Sequence, residues 1–78
     1  MAQINLQDIE RVDKTRNTVH EKVHASYTVF EVDGEKYVQL DTYGRAGREN
    51  PEKKSQSIQF NLETAKYIAD ILKKEFGL

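Results

Sequence analysis

The sequence predicts an α+β domain: a curved four-stranded antiparallel sheet followed by one C-terminal helix, in the order ββββα. Three observations carry this. Asp33-Gly34 sits between two β-rich runs and supplies the two positive-φ residues of a type I′ hairpin turn. Ser55-Gln56-Ser57-Ile58-Gln59-Phe60 alternates polar and apolar residues with the period of a strand. From Leu62 onward the apolar residues recur at three- and four-residue steps, the period of a helix.

The hairpin joins strands over 18–32 and 35–43, and a two-residue loop fixes its register. Phe30 then faces Tyr37, Val29 faces Val38, Thr28 faces Gln39, Tyr27 faces Leu40, Ser26 faces Asp41 and His24 faces Tyr43. One side carries Val23, Ala25, Tyr27, Val29, Val38, Leu40 and Thr42, a set suited to a core. The other carries His24, Ser26, Thr28, Phe30, Tyr37, Gln39, Asp41 and Tyr43, polar and aromatic together. Upstream, Ile4 and Leu6 alternate, which places a first strand over 3–12; Ile9 and Val12 at helical spacing leave a short helix as the alternative. Residues 44–54 hold two glycines and the only proline with no apolar period, and read as a mobile loop.

The helix spans 62–76. Asn61 suits its N-cap, Glu63 its first turn, Lys73 and Lys74 its C-terminal dipole, and Gly77 its end. Leu62, Ala65, Ile68, Ala69, Leu72 and Phe76 form its apolar stripe, widened by Tyr67 and Ile71. That stripe has two candidate partners, its own sheet or the helix of a second subunit.

A chain of 78 residues holds one domain with a modest core, which makes a partner chain plausible. Cysteine is absent, removing disulfides and thiolate metal sites and fitting a reducing compartment. Met1-Ala2-Gln3-Ile4 shows no basic segment before an apolar run, and no apolar stretch reaches the ~20 residues of a membrane span. A soluble, cytoplasmic protein is expected. The net charge of −1 conceals an uneven distribution, with five basic and three acidic residues over 36–54 and an acidic excess before it.

His20-Glu21-Lys22-Val23-His24 matches H-E-x-x-H, which on a helix gathers two imidazoles around zinc with the glutamate as base. The period-two pattern running through Val19, Val23, Ala25, Tyr27 and Val29 argues for a strand instead, which would hold the histidines ~13 Å apart. A zinc peptidase, with Glu63 as third ligand, is the minor alternative. Neither a G-x-S-x-G elbow nor a phosphate loop before a helix is present, Gly44-Arg45-Ala46-Gly47 lying between strands. No cofactor and no catalytic residue is expected.

The outer sheet face is the richer signal. Phe30, Tyr37 and Tyr43 offer stacking platforms for bases, and Thr28, Gln39, Ser57 and Gln59 offer hydrogen bonds to base edges. Lys22, Lys36, Arg45, Arg48, Lys53 and Lys54 lie at its margins, where they can meet phosphates. Cross-strand packing, or docking of a protein, is the competing use of the same aromatics.

The element order, together with Val38-Gln39-Leu40-Asp41-Thr42-Tyr43, the loop to Lys54, and Ser57-Ile58-Gln59-Phe60-Asn61-Leu62, resembles the transcriptional positive-cofactor-four family and its small bacterial single-stranded-DNA-binding relatives. The likeness covers residues 35–76. It implies a homodimer, joined through the C-terminal helices, whose curved sheets hold single-stranded DNA in transcription or DNA metabolism. The expectation is therefore a binding protein for single-stranded nucleic acid, with a protein-interaction or regulatory module as the alternative.

Overall fold

Asp33 and Gly34 both adopt positive φ, 51° and 80°, and close the hairpin as the Asp-Gly pair requires. The computed structural model describes residues 1–44 and 54–78. Its elements are β1 (Ala2–Gln3), a 3-10 turn (Leu6–Asp8), β2 (Ala25–Val32), β3 (Glu35–Tyr43), β4 (Lys54–Asn61) and α1 (Leu62–Phe76). The sheet order is β1-β4-β3-β2.

The hairpin register is the expected one, with Phe30 opposite Tyr37 and Ser26 opposite Asp41. β4 pairs antiparallel with β3, setting Leu40 against Ile58 and Gln39 against Gln59. The sheet is nevertheless mixed rather than purely antiparallel, because β1 joins β4 in parallel, Ala2 against Ile58 and Gln3 against Gln59.

Two further expectations are corrected. The strand over 3–12 shrinks to Ala2–Gln3, because Asn5 turns the chain: its Oδ1 accepts from the Gln7 amide at 3.1 Å and its carbonyl from the Asp8 amide at 3.0 Å. Such local hydrogen bonds by Asn compete directly with a strand ladder. The strand expected from residue 18 begins only at Ala25. β3 stops at Tyr43, whose amide donates to the His24 carbonyl at 3.0 Å, so residues 18–23 have no described strand beside them.

α1 has the expected bounds. Asn61 Oδ1 accepts from the Thr64 amide at 3.0 Å, Glu63 lies in the first turn, and Gly77 closes the helix at φ 69°. Asn61→Ala removes the cap and should cost about 1 kcal/mol in urea denaturation, with a fall in the helical circular-dichroism signal.

The packing departs most from expectation. α1 meets β4 and the 3-10 turn, and does not lie over the apolar face of the sheet. Ile9 to Asp13 run along the helix beside Tyr67, Ile71 and Lys74, with Arg11 Nη1 3.8 Å from Glu75. Tyr67 and Ile71 thus widen the stripe for the N-terminal segment. The main stripe and the sheet face expected to form the core stay open: Tyr27 is 72% exposed, Leu40 44%, Leu62 64% and Phe76 73%. No hydrophobic side chain among the described residues is buried; the buried ones are Asp41, Ser57 and Thr64.

Candidate nucleic-acid interface

The polar face is assembled by register. Alternation puts Gln3, Gln59, Gln39 and Thr28 in one row across the four strands, Ser57, Asp41 and Ser26 in the next, and Asn61, Tyr37 and Phe30 in a third. A register shift between Thr42 and Tyr43 then sets Lys54, rather than Ser55, opposite Tyr43. One extra residue in a strand reverses the facing of what precedes it. Lys54 therefore turns onto the polar face, where its Nζ lies 3.4 Å from Asp41 Oδ2.

Asp41 organises this surface. It is 2% exposed, and its Oδ1 accepts from the Ser57 hydroxyl and from Gln39 Nε2 at 2.8 Å. Gln59 Nε2 donates to Gln39 Oε1 at 2.7 Å, extending the chain of hydrogen bonds across two strands. The Ser57 hydrogen bond, then that from Gln39, and the Lys54 ammonium hold the Asp41 carboxyl below its ordinary value against the opposing effect of burial. A carboxylate whose folded pKa lies below its unfolded one stabilises the fold above the unfolded value, near 3.9, and loses that stabilisation as pH falls through the depressed one. Wild type should therefore lose stability on acidification below about pH 4, whereas Asp41→Asn, already weakened at neutral pH, should show a flatter acid limb in urea midpoints measured against pH.

The aromatic residues form two pairs. Phe30 and Tyr37 stack with centroids 5.5 Å apart and an interplanar angle of 21°. His24 and Tyr43 stack at 5.0 Å and 29°. Tyr43 also shares a 2.9 Å hydrogen bond with Ser26, and Tyr37 donates to Glu35 Oε2 at 3.0 Å, which pushes the phenol above its ordinary pKa. Asn61 Nδ2 reaches the other Glu35 oxygen at 3.3 Å. Phe30, Tyr37 and Tyr43 are half-buried, His24 is exposed, and each ring is held by its neighbour, a geometry that limits the entropy lost when a further flat ring stacks on them.

Of the residues expected to contact nucleic acid, Thr28, Phe30, Tyr37, Gln39, Tyr43, Ser57 and Gln59 share this face. Ser57 is buried under its Asp41 bond and Lys54 is paired, so both shape the surface more than they contact a ligand. Lys36 is corrected to the opposite face, since it shares parity with Val38 and borders a groove with Val38, Phe60, Leu62 and Ala65. Lys22 is exposed in the segment before β2. Arg45, Arg48 and Lys53, with the loop expected over 44–54, lie outside the described residues save for Gly44 and Lys54.

The sequence places Asp41 and His24 on the polar face without marking either as a contact residue, and it gives Gln3 no place there. The signal for Gln3 is its place beside Gln59, which needs the parallel β1 pairing; that for His24 is the hairpin register itself. His20 and His24 stand in a segment of no regular structure, so the helix that H-E-x-x-H requires is not formed there. No group of three His, Asp or Glu side chains among the described residues is placed to hold a metal. No helix among them is long and apolar enough to cross a membrane. Comparison with known protein families, with curated proteins and with solved structures finds no match to this chain.

Proposed function

We propose that this protein binds single-stranded nucleic acid, DNA in the first instance, on the polar face of its sheet, as a homodimer joined through α1. The observation that carries the reading is the joint display, on one side of one sheet, of two braced aromatic stacks and a row of side-chain amides. Single strands need both: stacking platforms for unpaired bases and hydrogen-bonding groups for their edges. Tyr37 and Tyr43 supply platforms with Phe30 and His24 behind or beside them. Gln39, Gln59 and Thr28 supply polar contacts between the stacks. Asp41 acts as a positioning residue, fixing Gln39 and neutralising Lys54 in place.

Charge contributes less. On the described part of the face Asp41 is paired with Lys54, and Glu35 is engaged by Tyr37 and Asn61. Phosphate contacts fall to Lys22 and to Arg45, Arg48 and Lys53, which lie outside the described residues, and four such contacts would give log affinity a slope of about −3 against log salt. The resemblance to the positive-cofactor-four family points the same way, and the cytoplasm is the compartment the reading implies. No reaction is assigned to this surface.

Fluorescence anisotropy of a labelled 20-nucleotide single strand tests the reading. Binding at 20 mM salt that weakens by no more than about 600-fold at 200 mM, and is not matched by the duplex, is expected. No binding at 20 mM salt rejects it.

A further inference from the structure

We infer that the free edge of β2 pairs antiparallel with β2 of a second copy, about a two-fold axis through Thr28, and so joins two polar faces into one continuous surface. The pairing is independent of any ligand; what it does for binding rests on the nucleic-acid reading above. β2 is the outer strand on the side away from β4, which α1 meets, so the contact is separate from any that the helix makes.

The edge is open and unguarded. No described element pairs with the far side of β2, which runs for 8 residues, Ala25–Val32, in unbroken register with β3. Proteins close such edges with proline, lysine, a bulge or a short strand, because a long bare edge is a template for another strand. β2 has none of these, and Glu31 is its one charged residue. The ladder shows which backbone groups are free. The Tyr43 amide donates to the His24 carbonyl, so these two form a hydrogen-bonded pair, and alternation extends the bonding to Ser26–Asp41, Thr28–Gln39 and Phe30–Tyr37. The amides and carbonyls of Ala25, Tyr27, Val29 and Glu31 therefore point away from β3.

The occupant follows from the spacing of those residues, which is centred on Thr28. Antiparallel pairing about Thr28 sets Tyr27 opposite the partner's Val29 and Ala25 opposite the partner's Glu31, and every outward amide and carbonyl is bonded. Any other register of β2 on itself leaves some of them bare. The side chains agree. Tyr27, 72% exposed, meets Val29, 51% exposed, an aromatic and β-branched pair favoured across strands. Glu31 meets an alanine rather than its own copy, so no like charges are opposed. β2 is thus its own complement, whereas a foreign peptide would have to match both sides of the strand independently. On the polar side Thr28 meets the partner's Thr28, and Phe30 meets the partner's Ser26. The row of Gln3, Gln59, Gln39 and Thr28 then continues into its symmetric copy. At about 4.8 Å between strands, a polar track of roughly 14 Å becomes one of roughly 34 Å.

Disulfide trapping on the purified full chain tests the pairing without nucleic acid. The chain has no cysteine, so an introduced thiol meets only its own copy. Thr28→Cys occupies a non-hydrogen-bonded position of the pair, where opposed Cα atoms stand about 4.5 Å apart and a disulfide fits. Glu31→Cys, on the same strand, would lie roughly 20 Å from its copy. Under mild oxidation Thr28→Cys should give a linked dimer on a non-reducing denaturing gel, and Glu31→Cys little. Val29→Pro blocks an outward amide and leaves the β3 ladder whole; added to Thr28→Cys, it should cut the linked product by at least about tenfold, with Val29→Lys as the substitute if the proline variant does not fold. Equal linking at both positions, linking that survives the Val29 variants, or no linking overturns the pairing. Anisotropy then reads the joined surface. Single strands of about 20 nucleotides should bind at least about tenfold more tightly than strands of about 10, and Val29→Pro should remove that gain while keeping affinity for the shorter strand. No gain, or a gain that Val29→Pro leaves intact, overturns the joined surface. If no oligonucleotide binds at all, the nucleic-acid reading fails while the trapping result stands, which tells the two failures apart.

Discussion

Leu40→Asp should abolish the folded protein at micromolar concentration. In the isolated chain Leu40 is 44% exposed, and a substitution at so open a site would change stability by no more than about 0.5 kcal/mol. Covered by the second copy of the proposed homodimer, the same aspartate would be a carboxylate stripped of water opposite apolar side chains, which costs several kcal/mol at each of two symmetric positions. The two expectations differ so widely that a circular-dichroism melt against concentration decides between them. Thr28→Asp is the companion variant. It sits on the neighbouring strand and on the polar face, and should leave the melt nearly unchanged while weakening binding of an anionic strand.

The second large effect concerns the rings. Tyr37→Ala with Tyr43→Ala removes one platform from each stack, and stacking of a base on an aromatic side chain contributes about 1–3 kcal/mol. The double variant should therefore bind a single-stranded oligonucleotide at least about thirtyfold more weakly in anisotropy titrations. Tyr37→Phe with Tyr43→Phe keeps the rings while deleting the hydrogen bonds to Glu35 and Ser26. That variant should retain binding within a few-fold. If the phenylalanine pair loses as much as the alanine pair, the hydroxyls and not the stacks carry recognition.

The local grammar of the chain was readable because each signal is enforced within a few residues. Asp33-Gly34 sets the turn, the turn sets the register of β2 and β3, and Asn61 with Gly77 bounds α1 at both ends. The polar and apolar faces of the hairpin follow from that register alone. What escaped depends on contacts between distant segments or on the local bonding of a single side chain. The parallel pairing of Ala2 with Ile58 has no pattern in two residues, and Asn5 diverts the chain through its own side chain. The bulge in β4 breaks an alternation that looks unbroken from Ser55 to Phe60, and only this break delivers Lys54 to Asp41. Lys36, expected at the margin of the polar face, belongs to the opposite one, as its parity with Val38 dictates. The apolar side of the hairpin was correctly composed for burial, but composition does not say whether the cover comes from the same chain.

The candidate site divides in the same manner. Phe30, Tyr37, Gln39, Tyr43 and Gln59 fell on one face by alternation, and the structure brings them together. The centre of that face, Asp41, reads in sequence as one polar residue among several; it is buried because Ser57, Gln39 and Lys54 converge on it from two strands.

The central claim is that the polar face meets single-stranded nucleic acid, and nuclear magnetic resonance tests it most directly, since each face carries its own side-chain reporters. On titration with a single-stranded oligonucleotide at low salt, the ring protons of Tyr37 and Tyr43 and the side-chain amides of Gln39 and Gln59 should shift together, while the methyls of Val29, Leu40 and Ile58 hold still. Movement of those methyls with silent amides and rings, or no movement at all, would contradict the account.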